Sequence, residues 1–312
     1  MKTLQSFLAT VTALLAVSLP LAAAEAPAET PQPELPRGQL IEKVTAQEAP
    51  DQTYALYLPS SYRPDRTWPV LYAMEARGQG ADFARRFTGA AEKLGVIVAS
   101  SYNTASDGAM QPNLTAMRAM WADTHRRLSI DDKRVYAAGF SGTVRAACLL
   151  ASLSPGSIVG VIGASGGFPF DRPPSKDTPF VFFGTVGDRD FNYDELMDLE
   201  ADLSKAGIAY RIELFEGGHE WPPADLAGEG LAWLELQSAK AGRRVQDSDL
   251  LDGVWKQGME RARAHESGGR LPEAFRGYQA LAADFRGLPP RPELTELRAK
   301  IEAMERSEAL AT

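Results

Sequence analysis

The residue types of one short segment suit nucleophilic catalysis. Ser141 stands in Gly139-Phe140-Ser141-Gly142-Thr143, directly after an apolar run and directly before a stretch with helical periodicity. A sharp turn from strand to helix exposes a serine hydroxyl at the edge of a sheet, and the amide of the next residue, here Gly142, points to where an oxyanion would form. We therefore predict Ser141 as a nucleophile for acyl transfer.

A second serine, Ser165, matches the pattern Gly-x-Ser-x-Gly more fully, because its segment runs from Gly163 to Gly167. The residues after it form a proline-rich loop through Pro179, with no sign of a helix start. A nucleophilic serine of this kind needs a strand before it and a helix after it. The sequence therefore favours Ser141 over Ser165.

A serine nucleophile needs a general base, and the sequence contains three histidines. His219 follows a strand-like run and lies in a loop with glycines before it and prolines after it. Such a loop can bring an imidazole over the edge of a sheet. His125 and His265 both fall in helical stretches. His219 is therefore the predicted base.

A carboxylate that orients this base should lie between the serine and the histidine in the chain. Asp188 and Asp190 both stand there, in the loop after the apolar run Phe180–Gly184. The carboxylate in this role accepts a hydrogen bond from the imidazole and stabilises the imidazolium. The residues by themselves leave both aspartates open.

Three segments together resemble the α/β-hydrolase superfamily: Gly139–Ser141 with the helix after it, the loop 187–192, and Gly217-Gly218-His219-Glu220-Trp221-Pro222. The resemblance spans about residues 40 to 240 and points to secreted esterases of the feruloyl-esterase and polyhydroxyalkanoate-depolymerase type. It implies cleavage of carboxylic esters by a Ser-His-Asp triad through a covalent acyl-enzyme, with no cofactor and no metal. In these relatives an acidic residue usually follows a glycine by three positions, which favours Asp190 over Asp188.

Two positions depart from the pattern of these relatives. Thr143 stands where they usually have glycine, and its β-branched side chain is expected to crowd the contact between helix and strand and to weaken activity. Glu75-Ala76 stands where many of them carry a His-Gly pair. The second oxyanion donor is expected in this loop, from the backbone amide of Ala76 or Arg77.

Other functions stay open beside the esterase. The same triad could act as a peptidase or a thioesterase, and the two departures would also suit a catalytically weak, hydrolase-like binding protein. Phe168, Phe170 and Trp221 lie on loops at the predicted functional edge. These aromatic residues either line an acyl pocket or seal the core, and the sequence does not decide between the two.

The elements around these residues alternate between strand and helix patterns. Short apolar or alternating runs indicate strands at 53–58, 69–74, 96–100, 134–140, 158–162, 180–183 and 210–215. Apolar residues at helical spacing indicate helices at 83–94, 114–128, 195–206 and 224–237. This alternation predicts an α/β fold, a mostly parallel sheet flanked by helices, in which ligands bind at the carboxyl ends of the strands.

The residues after Gly242 differ in character from the α/β-hydrolase region predicted at 37–242. Helical spacing predicts three helices, so that residues 243–312 form a small all-helical extension. The segment Gly269–Tyr278 resembles part of a tetratricopeptide repeat. A single repeat cannot bury its own apolar face. These helices are therefore expected to pack on the hydrolase region or to contact another protein.

The first residues read as an export signal. Lys2, an apolar stretch and Ala22-Ala23-Ala24 predict a signal peptide over residues 1–24, cleaved after Ala24. Residues 25–36 are rich in proline and alanine and predict an extended linker. The mature protein is expected to be periplasmic or secreted and to have no membrane span.

Composition excludes several classes of protein for this 312-residue chain. The 33 Lys and Arg against 41 Asp and Glu give a net charge of -8, so there is no broad cationic field for a phosphate backbone, and nucleic acid is not expected as a partner. The single cysteine, Cys148, cannot form an internal disulfide, and the few histidines and one cysteine do not supply a zinc framework. The expected partner is a small ester molecule.

Overall fold

A computed structural model describes residues 35–307 and places eight strands of this part of the chain in one sheet, in the order β1-β2-β4-β3-β5-β6-β7-β8. The pairs β1-β2 and β2-β4 are antiparallel and the other five are parallel. The strands are β1 Leu40–Thr45, β2 Thr53–Tyr57, β3 Trp68–Met74, β4 Ile97–Ser101, β5 Ile130–Phe140, β6 Gly160–Ala164, β7 Val181–Gly187 and β8 Tyr210–Phe215. The predicted α/β class is therefore confirmed.

Helices cover both faces of this sheet. One layer contains α1 and α5, which pack on each other, and the other contains α2, α3 and α4, which are joined through contacts of α3. These helices are α1 Gly80–Leu94, α2 Gln111–Arg127, α3 Gly142–Leu153, α4 Tyr193–Ala206 and α5 Ala224–Lys240. Because helices lie on both sides, the central strand β3 is buried along its whole length, as the continuous apolar runs predicted.

Three further helices follow the last strand and helix of the sheet region: α6 Ser248–Ser267, α7 Leu271–Asp284 and α8 Pro292–Glu305. They pack on one another and on α5, and they belong to the same compact unit, Pro36–Thr312, as the sheet. Helix α5 is consequently buried along almost its whole circumference, between the sheet and α6. The boundary at residue 242, the likeness to a tetratricopeptide repeat and the contact with another protein stay predictions.

Buried charges join the C-terminal helices to the sheet. Arg211 of β8 donates to Glu213 at 2.6 Å and to Asp284 of α7 at 2.9 Å, and all three side chains are buried. Asp284 also accepts a hydrogen bond of 2.7 Å from the indole N–H of Trp233 in α5. A buried ion pair contributes little net stability by itself, but removing one partner is costly because the other charge stays buried. These contacts link α7 to β8 and to α5.

The predicted signal peptide, residues 1–24, and nearly all of the predicted linker, residues 25–36, lie outside the described residues. Within residues 35–307, no helix is both long and apolar enough to cross a membrane.

Candidate active site

The turn between β5 and α3 holds Ser141 in a strained backbone conformation. Its φ is 55° and its ψ is -129°, a region that residues other than glycine rarely adopt. The Ser141 amide donates a hydrogen bond of 2.8 Å to the carbonyl of Ala164, the last residue of β6. The neighbouring strand thus helps to hold the turn that lifts the hydroxyl above the sheet edge.

Gly139 and Gly142, on either side of Ser141, are required because other backbone segments approach them too closely for a side chain. A Cβ atom at Gly139 would lie 2.6 Å from the amide nitrogen of Val144, and one at Gly142 would lie 2.6 Å from the carbonyl oxygen of Ser106. Both distances are shorter than a side chain permits. The turn therefore brings α3 against β5, and the Ser106 loop against the residue after the serine.

The structure brings three predicted site residues together in one hydrogen-bonded chain. His219 Nε2 lies 3.0 Å from Ser141 Oγ, and His219 Nδ1 lies 2.9 Å from Asp190 Oδ1. The Asp190 side chain is fully buried, and the same oxygen accepts the amide of Asn192 at 2.8 Å. In this arrangement the imidazole can take the serine proton, and the carboxylate can stabilise the imidazolium that results.

Asp188, the competing aspartate, has a different set of contacts. Its Oδ1 accepts the backbone amide of Gly217 at 3.0 Å and forms an exposed ion pair with Arg189 at 3.3 Å. The Gly217 carbonyl in turn accepts the Arg189 amide. Asp188 thus connects its own loop to the loop that carries His219, while Asp190 is the aspartate that contacts the imidazole.

The loop after β3 contains Ala76 and Arg77, the two residues predicted as alternatives for the second oxyanion donor. The amide of Arg77 donates to the carboxylate of Glu75, so it already has a partner. Among residues 35–307, no partner is found for the amides of Ala76 and Gly142. Ser106 contacts both of these residues, because its amide donates to the Ala76 carbonyl at 2.9 Å and its carbonyl lies against Gly142. The geometry therefore favours Ala76 over Arg77 as the second donor.

No protein-family model and no curated protein matches this sequence. Among solved structures, vibralactone cyclase aligns with a TM-score of 0.51 and 14% identity, over 64% of this chain and 81% of that one. S-formylglutathione hydrolase from Staphylococcus aureus aligns with a TM-score of 0.49 and 15% identity, over 64% and 99% of the two chains. A ferulic acid esterase aligns with a TM-score of 0.47 and 14% identity, over 62% and 94%.

The likeness to vibralactone cyclase, the order of the strands and the strained serine turn after a central strand agree with one another. The chain has an α/β-hydrolase fold. In this fold the three loops after β5, β7 and β8 meet at the carboxyl edge of the sheet, which is where Ser141, Asp190 and His219 are found.

The α/β-hydrolase fold here accommodates Thr143 without the crowding that its branched side chain led us to expect. Thr143 is fully buried, and its Oγ1 accepts the Phe140 amide at 2.9 Å and lies 2.7 Å from the Met74 carbonyl and 2.8 Å from the Phe140 carbonyl. The missing side chain of Gly139 leaves the space that the Thr143 backbone fills. Thr143 thus ties the end of β3 to the serine turn.

Ser165 lies beside the site but cannot take the place of Ser141. It too has a positive φ, 53°, yet its side chain is fully buried and its Oγ has one long hydrogen bond, 3.5 Å, to the Glu220 carbonyl. The next residue, Gly166, lies so close to Ser141 that a Cβ there would be 2.5 Å from the Ser141 carbonyl oxygen. The second glycine-rich turn therefore supports the first.

The other two histidines lie in helices, as predicted. His125 of α2 contacts the Trp121 carbonyl at 2.9 Å and Asp132 at 3.0 Å, and His265 is buried in α6. In the part of the chain that the structure describes, no group of three or more histidine, cysteine, aspartate or glutamate side chains is arranged to hold a metal ion.

The aromatic residues near the site have different environments. Phe168 is buried and stacks on Phe180 with 5.4 Å between ring centroids, whereas Phe170 is exposed and lies under the Arg145 guanidinium. Trp221 packs on Phe83 at 4.0 Å. Phe168 and Trp221 thus contribute to packing, although Trp221 is only partly buried, and of the three predicted substrate contacts Phe170 is the most exposed.

A further aromatic side chain was not predicted as a substrate contact. Phe191 stacks on the His219 ring at 4.0 Å, and 78% of its surface is exposed. The signal in the sequence is its place directly after Asp190, one of the two candidates for the carboxylate that orients His219. The exposed phenyl ring forms an apolar wall beside the His219 imidazole.

Proposed function

We propose that this protein is a serine hydrolase of carboxylic esters. The observation that carries the proposal is the hydrogen-bonded chain from Asp190 through His219 to Ser141, with its 2.9 Å and 3.0 Å steps. A buried carboxylate, an imidazole and a serine hydroxyl in this order can generate an alkoxide-like nucleophile without an external base.

The proposed reaction has two halves. His219 Nε2 removes the Ser141 proton as Oγ attacks the ester carbonyl, and the amides of Gly142 and Ala76 stabilise the oxyanion of the tetrahedral intermediate. The same imidazole then gives its proton to the leaving alcohol, which leaves an ester of Ser141. Water, deprotonated by His219, attacks this acyl-enzyme, and the imidazolium returns the proton to Ser141 Oγ as the acid leaves, so that the enzyme is regenerated.

The test compares several substrates and compares variants of two serines, Ser141 and Ser165. Nitrophenyl esters of short acids should be hydrolysed, and Ser141→Ala should lower kcat by about 10⁵ to 10⁶ because the triad acts as a unit. A fluorophosphonate probe should label Ser141. Ser165→Ala is the matched control and should keep both activity and labelling.

The same assay separates the alternative substrates. Thioesters and peptides need the same hydroxyl, so the panel includes an acyl thioester and a peptide anilide. Faster cleavage of either one than of every ester would overturn the carboxylesterase proposal, and labelling at Ser165 would overturn the choice of nucleophile. A folded protein with neither labelling nor hydrolysis would instead be the hydrolase-like binding protein.

We also propose that the protein is exported and cleaved after Ala24, on the basis of Lys2, the apolar stretch and the three alanines that precede Glu25. Protein recovered from the periplasm or the medium of the producing cell should begin at or near Glu25. An N-terminus at Met1 or Lys2 in the mature protein would contradict export.

A further inference from the structure

Glu75 is a buried carboxylate directly after β3, at the edge of the proposed site. Only 4% of its surface is exposed. Its Oε2 accepts the amides of Arg77 and Gln79, the second at 3.0 Å, and its Oε1 lies 3.4 Å from the indole nitrogen of Trp221. Each of these partners is a neutral N–H donor.

A buried carboxylate normally requires a cation or several hydrogen bonds, since an isolated buried charge costs many kcal/mol. Within residues 35–307 no Lys, Arg or His side chain forms an ion pair with Glu75. Its charge is therefore compensated by backbone and indole N–H groups, which form stronger hydrogen bonds to an anion than to a neutral oxygen. The loop after β3 closes around the carboxylate to supply the two backbone amides.

This closure decides which amide of the loop stays available. Two amides, those of Arg77 and Gln79, turn inward to Glu75. The backbone of Glu75 is itself held, because the Thr104 hydroxyl donates to its carbonyl at 2.8 Å, and the Ala76 carbonyl is held by Ser106. With its neighbours fixed in this way, the Ala76 amide is the one that can serve with Gly142.

The other oxygen of Glu75 reaches the loop of the catalytic histidine. Trp221 follows His219 by two residues, and its ring packs on Phe140, the residue before Ser141, with 4.9 Å between centroids. One side chain thus contacts both the loop that supplies the oxyanion donor and the loop that supplies the base.

We propose that Glu75 is a positioning residue that holds the Ala76 amide as the second oxyanion donor and fixes the histidine loop through Trp221. The inference rests on the proposed function. It also explains why a glutamate can stand where the resemblance leads one to expect histidine: the carboxylate supports the loop from inside.

Three variants separate the parts of this role. Glu75→Ala removes both contacts. Glu75→Gln keeps one oxygen for the two backbone amides but turns an N–H₂ group toward the Trp221 N–H, so that two donors face each other. Trp221→Phe removes the indole N–H alone. Glu216→Ala is the matched control, because Glu216 is an exposed carboxylate at the same edge of the sheet.

Two readouts are measured well below the melting temperature of every variant. One is kcat and KM on a nitrophenyl ester. The other is the Kd of a boronic acid, which forms a tetrahedral adduct with the serine and places an oxygen where the oxyanion would be. A lost oxyanion donor should lower kcat by about 10² to 10³. Glu75→Ala should show that loss with KM changed less than threefold, and the boronate Kd should rise in parallel.

Glu75→Gln and Trp221→Phe should each lower kcat by less than Glu75→Ala, and Glu216→Ala should match the wild type. If Glu75→Ala does not fold, the other two variants carry the test. Unchanged kcat and boronate affinity in folded variants, or a rise in kcat when the negative charge is removed, would overturn the positioning role alone. A wild-type protein that neither hydrolyses esters nor is labelled at Ser141 would overturn the proposed function and this inference with it.

Discussion

The Thr143 hydroxyl lies 2.7 Å from the carbonyl oxygen of Met74, so that one buried side chain joins the serine turn to the end of β3. The next residues after Met74 are Glu75 and Ala76, which form the loop of the proposed oxyanion donor. The two parts of the proposed site are therefore connected through a buried hydroxyl, which a glycine at position 143 could not provide.

Thr143→Val should show this connection. Valine has nearly the same shape but leaves the buried Met74 carbonyl and Phe140 amide without the hydroxyl, at a cost of about 1 to 3 kcal/mol for each unsatisfied group. We expect a lower free energy of unfolding in urea and a lower kcat. Thr143→Ser keeps the hydroxyl and is the control, and equal stability of the two variants would contradict the role of the hydrogen bonds.

The two aspartates of the loop after β7 should respond very differently to substitution. Asp190→Asn should lower kcat by about 10⁴ at neutral pH, because the amide favours the wrong tautomer of His219. Asp188→Asn should stay near wild type, since its side-chain oxygen can still accept the Gly217 amide and the exposed pair with Arg189 contributes little. The measurement is ester turnover by both variants after their melting curves are compared. A large loss confined to Asp188→Asn would reverse the assignment.

Asp284→Ala should destabilise the whole fold, although the residue is far in the chain from the proposed active site. The substitution leaves the Arg211 guanidinium buried with one partner fewer, and breaking a buried pair costs about 3 to 5 kcal/mol. Asp252→Ala is the control, because Asp252 also pairs with an arginine of this region, Arg291, but is 70% exposed. Urea unfolding should show a loss for Asp284→Ala several times larger than for Asp252→Ala. Similar small losses would indicate that α7 is held by apolar packing alone.

His265 should make stability depend on pH in the mildly acidic range. Burial and the nearby Arg270 guanidinium lower its pKa from its ordinary value of 6.5, against the opposite effect of Glu213 and Glu273. The unfolded chain then binds the proton more readily than the folded one. The free energy of unfolding should therefore fall as the pH drops below about 6.5, and the loss should be complete below the folded pKa.

His265→Gln removes this proton-binding group and should flatten that part of the curve. The measurement is urea unfolding of both proteins at several pH values from 7.5 to 5, with the difference at pH 7.5 taken as the packing cost of the substitution. A wild-type curve that is no steeper than the variant's over this range would show that His265 is not responsible.

The architecture was largely predictable because it rests on periodicity. Apolar runs of strand length alternate with helical spacing, and only one element of the sheet, β1, was not indicated. Its pairing with β2 is irregular between Ile41 and Val44, so its buried and exposed residues do not alternate regularly. The candidate serine and histidine could also be predicted from the sequence, because each follows a strand and lies among glycines.

Other features depend on side-chain contacts that no pattern in the chain reports. The choice between Ala76 and Arg77 is made by the carboxylate of Glu75, whose direction follows from the folded loop. The compatibility of Thr143 with the serine turn depends on a carbonyl 69 positions earlier, that of Met74. Such long-range polar contacts form only when the sheet is assembled.

The burial of α5 on both sides has a consequence for synthesis on the ribosome. When the histidine loop and α5 have emerged, the outer surface of α5 is not yet covered by α6 and α7. That surface includes the Trp233 indole, whose N–H donates a hydrogen bond to Asp284 in the folded protein. Residues up to Asp284 must be synthesised before α6 and α7 can pack on α5. Because domains fold as units, hydrolytic activity of a chain translated in vitro, without export, would appear only after α7 has left the exit tunnel, well after the last residue of the proposed triad.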